Sequence, residues 1–160
     1  MTMRFSSCCM LVLLVMLLSA NNADAHCEIP CGIYGDEMRC DMIEEHIATI
    51  EKSMQMIVEL SKEADKNYNQ LVRWVDNKDE HADRIQEIVA QYFLTQRIKI
   101  TDTKDEGAYN TYVKQLVLLH QMLVYAMKSK QSVDLANVVQ LRALLDKFRE
   151  MYLVREKEKH

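Results

Sequence analysis

Residues that interrupt helices are almost absent from this 160-residue chain after position 35. The single proline is Pro30, and two of the three glycines, Gly32 and Gly35, lie close to it. The third glycine, Gly107, is the only such residue in the remaining stretch. That stretch is rich in alanine, leucine, methionine, glutamate, lysine and glutamine, which lose little entropy on entering a helix. The sequence therefore predicts an all-α protein, and its length suits a single domain with a real core.

Apolar side chains recur at helical spacing in four stretches after residue 41. In the first, the steps alternate between four and three residues, which is typical of helices that pack side by side in a bundle. A polar interruption at residues 76–83 leaves the second stretch as one long helix or two pieces. Residues 99–107 lose the period, gain charge and end in glycine, which predicts a loop. The apolar positions are Ile43, Ile47, Ile50, Met54, Ile57 and Ala64 in the first stretch; Leu71, Val72, Val75, Ile85, Ile88, Val89, Tyr92 and Phe93 in the second; Tyr109, Tyr112, Val113, Leu116, Val117, Leu119, Leu123, Val124 and Met127 in the third; and Leu135, Val138, Val139, Leu141, Leu145, Phe148 and Tyr152 in the fourth.

Four amphipathic helices with short connections predict an antiparallel four-helix bundle over residues 36–160. Ser132 is the expected N-cap of the fourth helix. The apolar stripes of the third and fourth helices are wide, because adjacent residues such as Leu118 and Leu119 cannot both face one narrow seam. We therefore expect oligomerisation to bury the excess apolar surface.

The first 25 residues have the three parts of a secretory signal peptide. Arg4 is the only charge in the first seven residues, residues 9–18 form an unbroken apolar run, and residues 23–25 read Ala-Asp-Ala, a cleavage site. The run is shorter than the roughly 20 residues that span a bilayer, which favours a removed signal over a retained anchor. We expect export to a periplasm, an organelle lumen or the extracellular space, with no stable membrane anchor after cleavage. The new N-terminus would be His26.

The formal net charge of −4 argues against nucleic acid as a partner. A phosphate-binding surface needs a basic stripe, and no cluster of lysine and arginine in this chain is large enough. A di-iron site in a helical bundle requires Glu-x-x-His on two helices, and this motif does not occur in the sequence. The candidate chemistry therefore lies with the cysteines near the predicted N-terminus.

Three cysteines remain after cleavage, namely Cys27, Cys31 and Cys40. An odd number cannot all pair within one chain. Spacing alone leaves open a small-loop disulfide between Cys27 and Cys31, which would suit a secreted helical-bundle interaction protein. Cys40 lies among apolar residues of the first helix, and we expect it to be a small hydrophobe in the core.

A chain that begins at His26 carries a chelate that an internal His-Cys pair cannot form. The terminal amine of His26, the backbone nitrogen of Cys27 and the Cys27 sulfur make two fused five-membered rings, and the Cys31 thiolate can close the fourth corner. Pro30 and Gly32 favour the turn that this closure requires. Two nitrogens and two thiolates in one plane suit nickel(II) or copper(II) better than zinc. Their anionic donors also stabilise a higher oxidation state, so we expect a Ni(II)/Ni(III) cycle.

Residues 26–34, HCEIPCGIY, resemble the nickel-binding hook of nickel-containing superoxide dismutases, whose pattern is H-C-x-x-P-C-G-x-Y. With Gly35 they form the predicted hook, residues 26–35. The resemblance implies disproportionation of superoxide to oxygen and hydrogen peroxide by a homohexamer of four-helix subunits with one nickel ion each. The implied ligands are the amine and imidazole of His26, the amide and thiolate of Cys27, and the thiolate of Cys31. A copper or nickel carrier with the same terminal chelate is a further alternative.

The resemblance also implies roles for residues around the metal. Tyr34 matches a tyrosine that lines the access to the metal, and Tyr92, which precedes a phenylalanine, resembles a second active-site tyrosine. The family orients the axial imidazole with an acidic side chain early in the first helix, for which Glu44 and Glu45 are both candidates. Another partner of that imidazole, an arginine of the second helix, is matched here by Asn77, which departs from the family pattern.

Overall fold

The computed structural model describes residues 35–157, with side-chain surroundings up to residue 153. Helix α1 is Asp36–Leu60 and α2 is Tyr68–Glu87, which a π-helical segment, Ile88–Arg97, continues without a break. Helix α3 is Glu106–Gln131 and α4 is Ala136–Lys157. This part of the chain contains no strand, and none of its helices is long and apolar enough to span a bilayer. The all-α prediction is confirmed.

Each helix packs against two others, so the four helices close into a ring around one core. Helix α1 contacts α2 and α4, and α3 contacts the same two helices. The contacts between α1 and α2 run from Ser53 with Asn77 to Asp36 with Tyr92, so the two helices are antiparallel. Tyr152, late in α4, also reaches Asp36 at the start of α1. The predicted antiparallel four-helix bundle is therefore confirmed.

The seam predicted for the first helix forms the centre of the core. Ile43, Ile47, Ile50 and Met54 are all completely buried, and each such side chain contributes about 1.5 to 3 kcal/mol relative to an exposed one. Cys40 continues the same seam towards the start of α1. The spacing of four and three residues therefore identified the buried face of α1 correctly.

The buried stripe of α2 is not made of apolar residues alone. Val72 and Val75, two apolar positions of the second periodic stretch, are 57% and 39% exposed. The buried positions are Lys78, Ala82 and Ile85, and helix α2 passes through the polar residues 76–83 without a break. Burial follows the face turned towards the other helices, even though that face carries a lysine.

The ends of the connections also differ from the prediction. Helix α3 begins within the predicted loop, because the Asp105 side chain accepts a hydrogen bond from the backbone of Ala108 at 3.0 Å and caps the first turn. Ser132 is not the N-cap of α4, which begins at Ala136. The Asp134 carboxylate lies closer to that turn and accepts from the Ala136 backbone nitrogen at 2.9 Å.

Lys78 links α2 to the end of α3. Its ammonium group is 3% exposed and donates to the carbonyl oxygens of Ser129 at 2.8 Å and Lys130 at 2.6 Å, as well as to Asp79 at 2.6 Å. Carbonyls in the last turn of a helix have no partner within the helix and carry its partial negative charge. Lys78 therefore caps α3 from a neighbouring helix, which explains how a charged residue is accommodated in the seam.

We expect Lys78→Met to lower the free energy of unfolding by about 2 kcal/mol, because two buried carbonyls lose their donor while the apolar stem is kept. Lys130→Met is the matched control, since the Lys130 ammonium pairs with the exposed Asp83 at 2.7 Å. Loss of such a surface pair costs at most about 1 kcal/mol. Urea unfolding followed by circular dichroism measures both variants, and equal losses would contradict the capping role.

Candidate functional site

The predicted ligands His26, Cys27 and Cys31, together with Tyr34, lie outside the described residues. Gly35, the last residue of the predicted hook, is the first that the structure describes, and α1 begins immediately after it. Within residues 35–157, no three His, Cys, Asp or Glu side chains are grouped so that they could hold a metal ion. The described residues nearest in sequence to the predicted ligands are those at the start of α1.

A buried carboxylate organises this end of the bundle. The Asp36 side chain is 9% exposed. Its Oδ1 accepts a hydrogen bond from the Tyr92 hydroxyl at 2.5 Å, and its Oδ2 accepts one from the Tyr152 hydroxyl at 2.9 Å. Arg97 donates from Nη2 to Oδ2 at 2.8 Å, and its Nε lies 2.8 Å from Oδ1. We call Asp36, Tyr92, Arg97 and Tyr152 the Asp36 cluster. It joins α1, the π-helical segment and α4 through one side chain.

The π-helical segment explains why Tyr92 and Arg97 reach the same carboxylate. In an α-helix, residues five apart point about 140° away from each other. Bonds from residue i to i+5 widen the turn and bring such residues close to alignment. The backbone nitrogen of Ile98 donates to the Phe93 carbonyl at 2.9 Å in this pattern, and the Thr95 hydroxyl donates to the Ala90 carbonyl at 2.8 Å.

Aromatic packing supports the cluster from the core side. The Tyr92 ring lies edge to face against Phe93, with 5.2 Å between centroids, and Phe93 packs in the same way on Phe148 at 4.9 Å. Tyr152 stacks on Phe148 at 5.1 Å with nearly parallel rings. Such pairs favour defined ring orientations, so both tyrosine hydroxyls are aimed by rings that cannot turn freely.

Two arginines flank the ring of Tyr92. The Arg39 guanidinium carbon lies 4.9 Å from the ring centroid, and that of Arg97 lies 5.6 Å away. These distances allow a cation–π attraction. Both cations therefore act on the electrostatic surroundings of the Tyr92 hydroxyl.

The protonation states within the cluster follow from its contacts. Burial and the hydrogen bond to Asp36 raise the pKa of Tyr92 to about 12. Burial by itself would raise the pKa of Asp36, but hydrogen bonds from Arg97, Tyr92 and Tyr152 outweigh it and the pKa is lowered. The hydrogen bond to Asp36 raises the pKa of Arg97. At neutral pH the cluster therefore holds a carboxylate, a guanidinium and a protonated phenol.

Cys40 lies one turn beyond Asp36 and is a free, completely buried thiol. Burial raises its pKa to about 11. A thiol that stays protonated is a poor metal ligand, because metals bind the thiolate. The expectation that Cys40 is a small hydrophobe in the core is confirmed.

Glu44 and Asn77, also singled out from the sequence, have side-chain partners of their own within the bundle. Glu44 accepts from Nε of Arg142 at 2.9 Å, whereas Glu45 is exposed. Asn77 donates to the Ser53 hydroxyl at 2.9 Å. The orientation of the axial imidazole by Glu44 or Glu45 stays a prediction, because His26 lies outside the described residues.

Sequence reasoning identified Tyr92 and missed the other members of the Asp36 cluster. Asp36 precedes the first periodic stretch, Tyr152 had the spacing of a core residue, and Arg97 followed the second stretch as one of several polar side chains. A tyrosine followed by an arginine five residues later is out of register in an α-helix. Only the π-helical turn reveals that the two side chains act together.

Comparison with known proteins gives a match along most of the chain. The family model described as nickel-containing superoxide dismutase matches residues 21–157. The match includes the predicted hook and all four helices. No curated protein and no solved structure shows significant similarity to this chain.

We expect the Asp36 cluster to contribute to stability at neutral pH and to lose that contribution in acid. Because the pKa of Asp36 is lowered by folding from its ordinary value of 3.8, the stabilisation is complete above that value and disappears as the pH falls through the folded pKa. Asp36→Asn should lower the free energy of unfolding by about 2 kcal/mol at pH 7 and by less at pH 3.

Asp41→Asn is the matched control, because Asp41 also joins α1 to α4, through Arg149 at 2.6 Å, but is 64% exposed. Its effect should stay below about 1 kcal/mol. Urea unfolding at pH 7, 5 and 3 measures these differences at one protein concentration. A loss at Asp36→Asn that does not vary with pH would contradict the assigned carboxylate.

Proposed function

The chain belongs to the nickel-containing superoxide dismutase family, and we propose that its nickel is held by His26, Cys27 and Cys31. The protein is an oxidoreductase that disproportionates superoxide to oxygen and hydrogen peroxide, with nickel as its cofactor. Family membership favours this enzyme over a secreted interaction protein with a disulfide between Cys27 and Cys31. The proposed stoichiometry is one nickel ion per subunit.

The chemistry of the donor set supports this assignment. The terminal amine of His26, the amide and thiolate of Cys27 and the thiolate of Cys31 provide two nitrogens and two sulfurs, a set that suits a planar nickel(II) site. Cys40 is not a competing ligand, because its thiol is buried and protonated. When bound, nickel supplies a one-electron Ni(II)/Ni(III) cycle, in which one superoxide is oxidised and the next is reduced.

The proposed ligand set requires removal of residues 1–25. Before cleavage the nitrogen of His26 is part of a peptide bond and cannot act as an amine donor. We therefore propose that the signal peptide directs export and that its cleavage completes the metal site. In this view the destination of the protein and the formation of its active site depend on the same bond, between Ala25 and His26.

The observation that supports the proposed site is the Asp36 cluster, which lies at the start of α1. Tyr34 is separated from Asp36 by one residue, so their Cα atoms are at most about 7 Å apart. We propose that Tyr34 and Tyr92 line the approach to the nickel. Asp36 holds the phenolic proton of Tyr92, which keeps this hydroxyl neutral where superoxide, an anion, would approach.

A groove between α3 and α4 supports assembly into a homohexamer. It has a volume of about 580 Å³, and its apolar lining includes Val113, Val117, Leu118 and Met151. Val117 is 48% exposed. An exposed apolar patch bordered by polar side chains is typical of surfaces that associate with other subunits. We propose that this groove contributes to a contact between subunits of the hexamer.

We expect superoxide dismutation only in protein that begins at His26. One extra residue before His26 turns the amine into an amide and should reduce activity at least a hundredfold, since one of the two nitrogen donors is lost. Acetylation of the amine should have the same effect. Activity is measured by the decay of superoxide after pulse radiolysis, and bound nickel by elemental analysis. The N-terminus of the exported protein is identified by mass spectrometry.

The cysteines provide matched variants for the same experiment. Cys27→Ser and Cys31→Ser should abolish stoichiometric nickel, whereas Cys40→Ala should retain it because Cys40 is a core residue. Equal activity with and without the extra residue would exclude the terminal amine as a ligand. A bond between Cys27 and Cys31 in peptide mapping of the active protein would exclude the thiolate pair.

We expect the wild-type protein to sediment as six subunits and Val117→Glu to sediment as smaller species, because a charge in the groove opposes burial. Val72→Glu is the matched control, since Val72 is 57% exposed on α2 and lies outside the groove. Circular dichroism checks that both variants remain helical. A Val117→Glu protein of unchanged mass would exclude the groove as a contact, and a monomeric wild type would exclude the hexamer.

A further inference from the structure

We propose that Asp36 and Arg97 are positioning residues for Tyr92, which fix the direction of its hydroxyl group through the geometry of the π-helical segment. The inference rests on the proposed function, in which Tyr92 lines the approach to the nickel. It adds Asp36, which accepts a hydrogen bond from the Tyr92 hydroxyl, and Arg97, which pairs with Asp36, to the residues expected to influence the reaction.

The direction of the hydrogen bonds in the cluster is determined by chemistry. An ionised carboxylate can only accept, and a guanidinium can only donate. Arg97 donates from Nη2 to Oδ2 of Asp36, and its Nε lies 2.8 Å from Oδ1, so this ion pair orients the carboxylate before either tyrosine is considered. Tyr92 must therefore donate its proton to Oδ1, over a short distance of 2.5 Å. The phenolic proton is committed to Asp36 and is not the proton that the reaction consumes.

The π-helical segment makes this arrangement possible. With α-helical geometry, Arg97 would point about 140° away from Tyr92 and could not share its carboxylate. The wider turn allows the cation and the phenol to reach the same carboxylate. Such turns are frequent at functional sites, and here the turn aligns the two side chains that contact Asp36 from one helix.

The charges that act on the Tyr92 hydroxyl come from several elements. Asp36 and Arg39 belong to α1, and Arg97 belongs to the π-helical segment. Tyr152 of α4 donates to the same carboxylate. Asp36 stabilises the phenol against ionisation, whereas both arginines favour the phenolate. Removing the carboxylate therefore allows Tyr92 to ionise at lower pH, where a phenolate would repel superoxide.

The test compares Asp36→Asn, Tyr92→Phe and the double variant by pulse radiolysis between pH 7 and pH 10.5, with activity expressed per bound nickel. Asp36→Asn should lower activity roughly tenfold at pH 7.5 through misplacement of the hydroxyl. Its alkaline loss of activity should begin at least one pH unit below that of the wild type. In the Tyr92→Phe background, Asp36→Asn should change neither the rate nor the pH profile, because its effect passes through the tyrosine hydroxyl.

Asp41→Asn is the matched control and should leave rate and pH profile unchanged, since Asp41 pairs with Arg149 away from the cluster. Arg97→Lys, which keeps the cation, should retain more activity than Arg97→Gln. This series remains informative if Asp36→Asn is too unstable to assay, because each Arg97 variant is again combined with Tyr92→Phe and should then have no further effect.

The outcomes separate the inference from the function on which it rests. If Tyr92→Phe loses activity and the double variant loses further activity by the same factor as Asp36→Asn alone, the two effects are independent. Asp36 then has a general structural role, and the positioning inference is wrong. If Tyr92→Phe keeps full activity and full nickel, Tyr92 does not belong to the site and both assignments fall. If Tyr92→Phe and Asp36→Asn lose activity to the same extent, without adding, the inference is supported.

Discussion

The carboxylate of Asp36 is the interaction on which the site end of this bundle depends. A buried charge is unfavourable unless it is paired and hydrogen-bonded, and Asp36 is matched by Arg97, Tyr92 and Tyr152. The first residue of α1 thereby holds the π-helical segment and the end of α4. Gly35, the last residue of the predicted hook, directly precedes Asp36, so this carboxylate belongs to the residue at which the predicted hook joins α1. Loss of any one partner would leave the others with an incompletely satisfied charge.

Polar residues stabilise the bundle at two separate levels. Lys78 caps α3 near the level of Ser53, which is about 25 Å along α1 from Asp36 by helical rise. At both places a charged side chain enters the helix interface and is fully matched by groups from other helices. Such contacts are directional, whereas apolar contacts tolerate sliding of one helix along another. Together they fix the relative positions of α1, α2, α3 and α4, and therefore the register in which Asp36 meets Tyr92 and Tyr152.

The sequence by itself determined the features that depend on neighbouring residues. Scarce glycine and proline made the chain helical, the spacing of isoleucines in α1 defined its buried face, and the hook motif with its candidate donors is contiguous. The tertiary structure decided the contacts of Asp36, whose partners are 56, 61 and 116 residues away. It also decided that Lys78 is buried in the seam of α2, whereas Val72 and Val75 stay exposed. The reason is physical: a periodic pattern specifies which residues share a helix face, but the width of a turn and the register between helices emerge only when the helices pack.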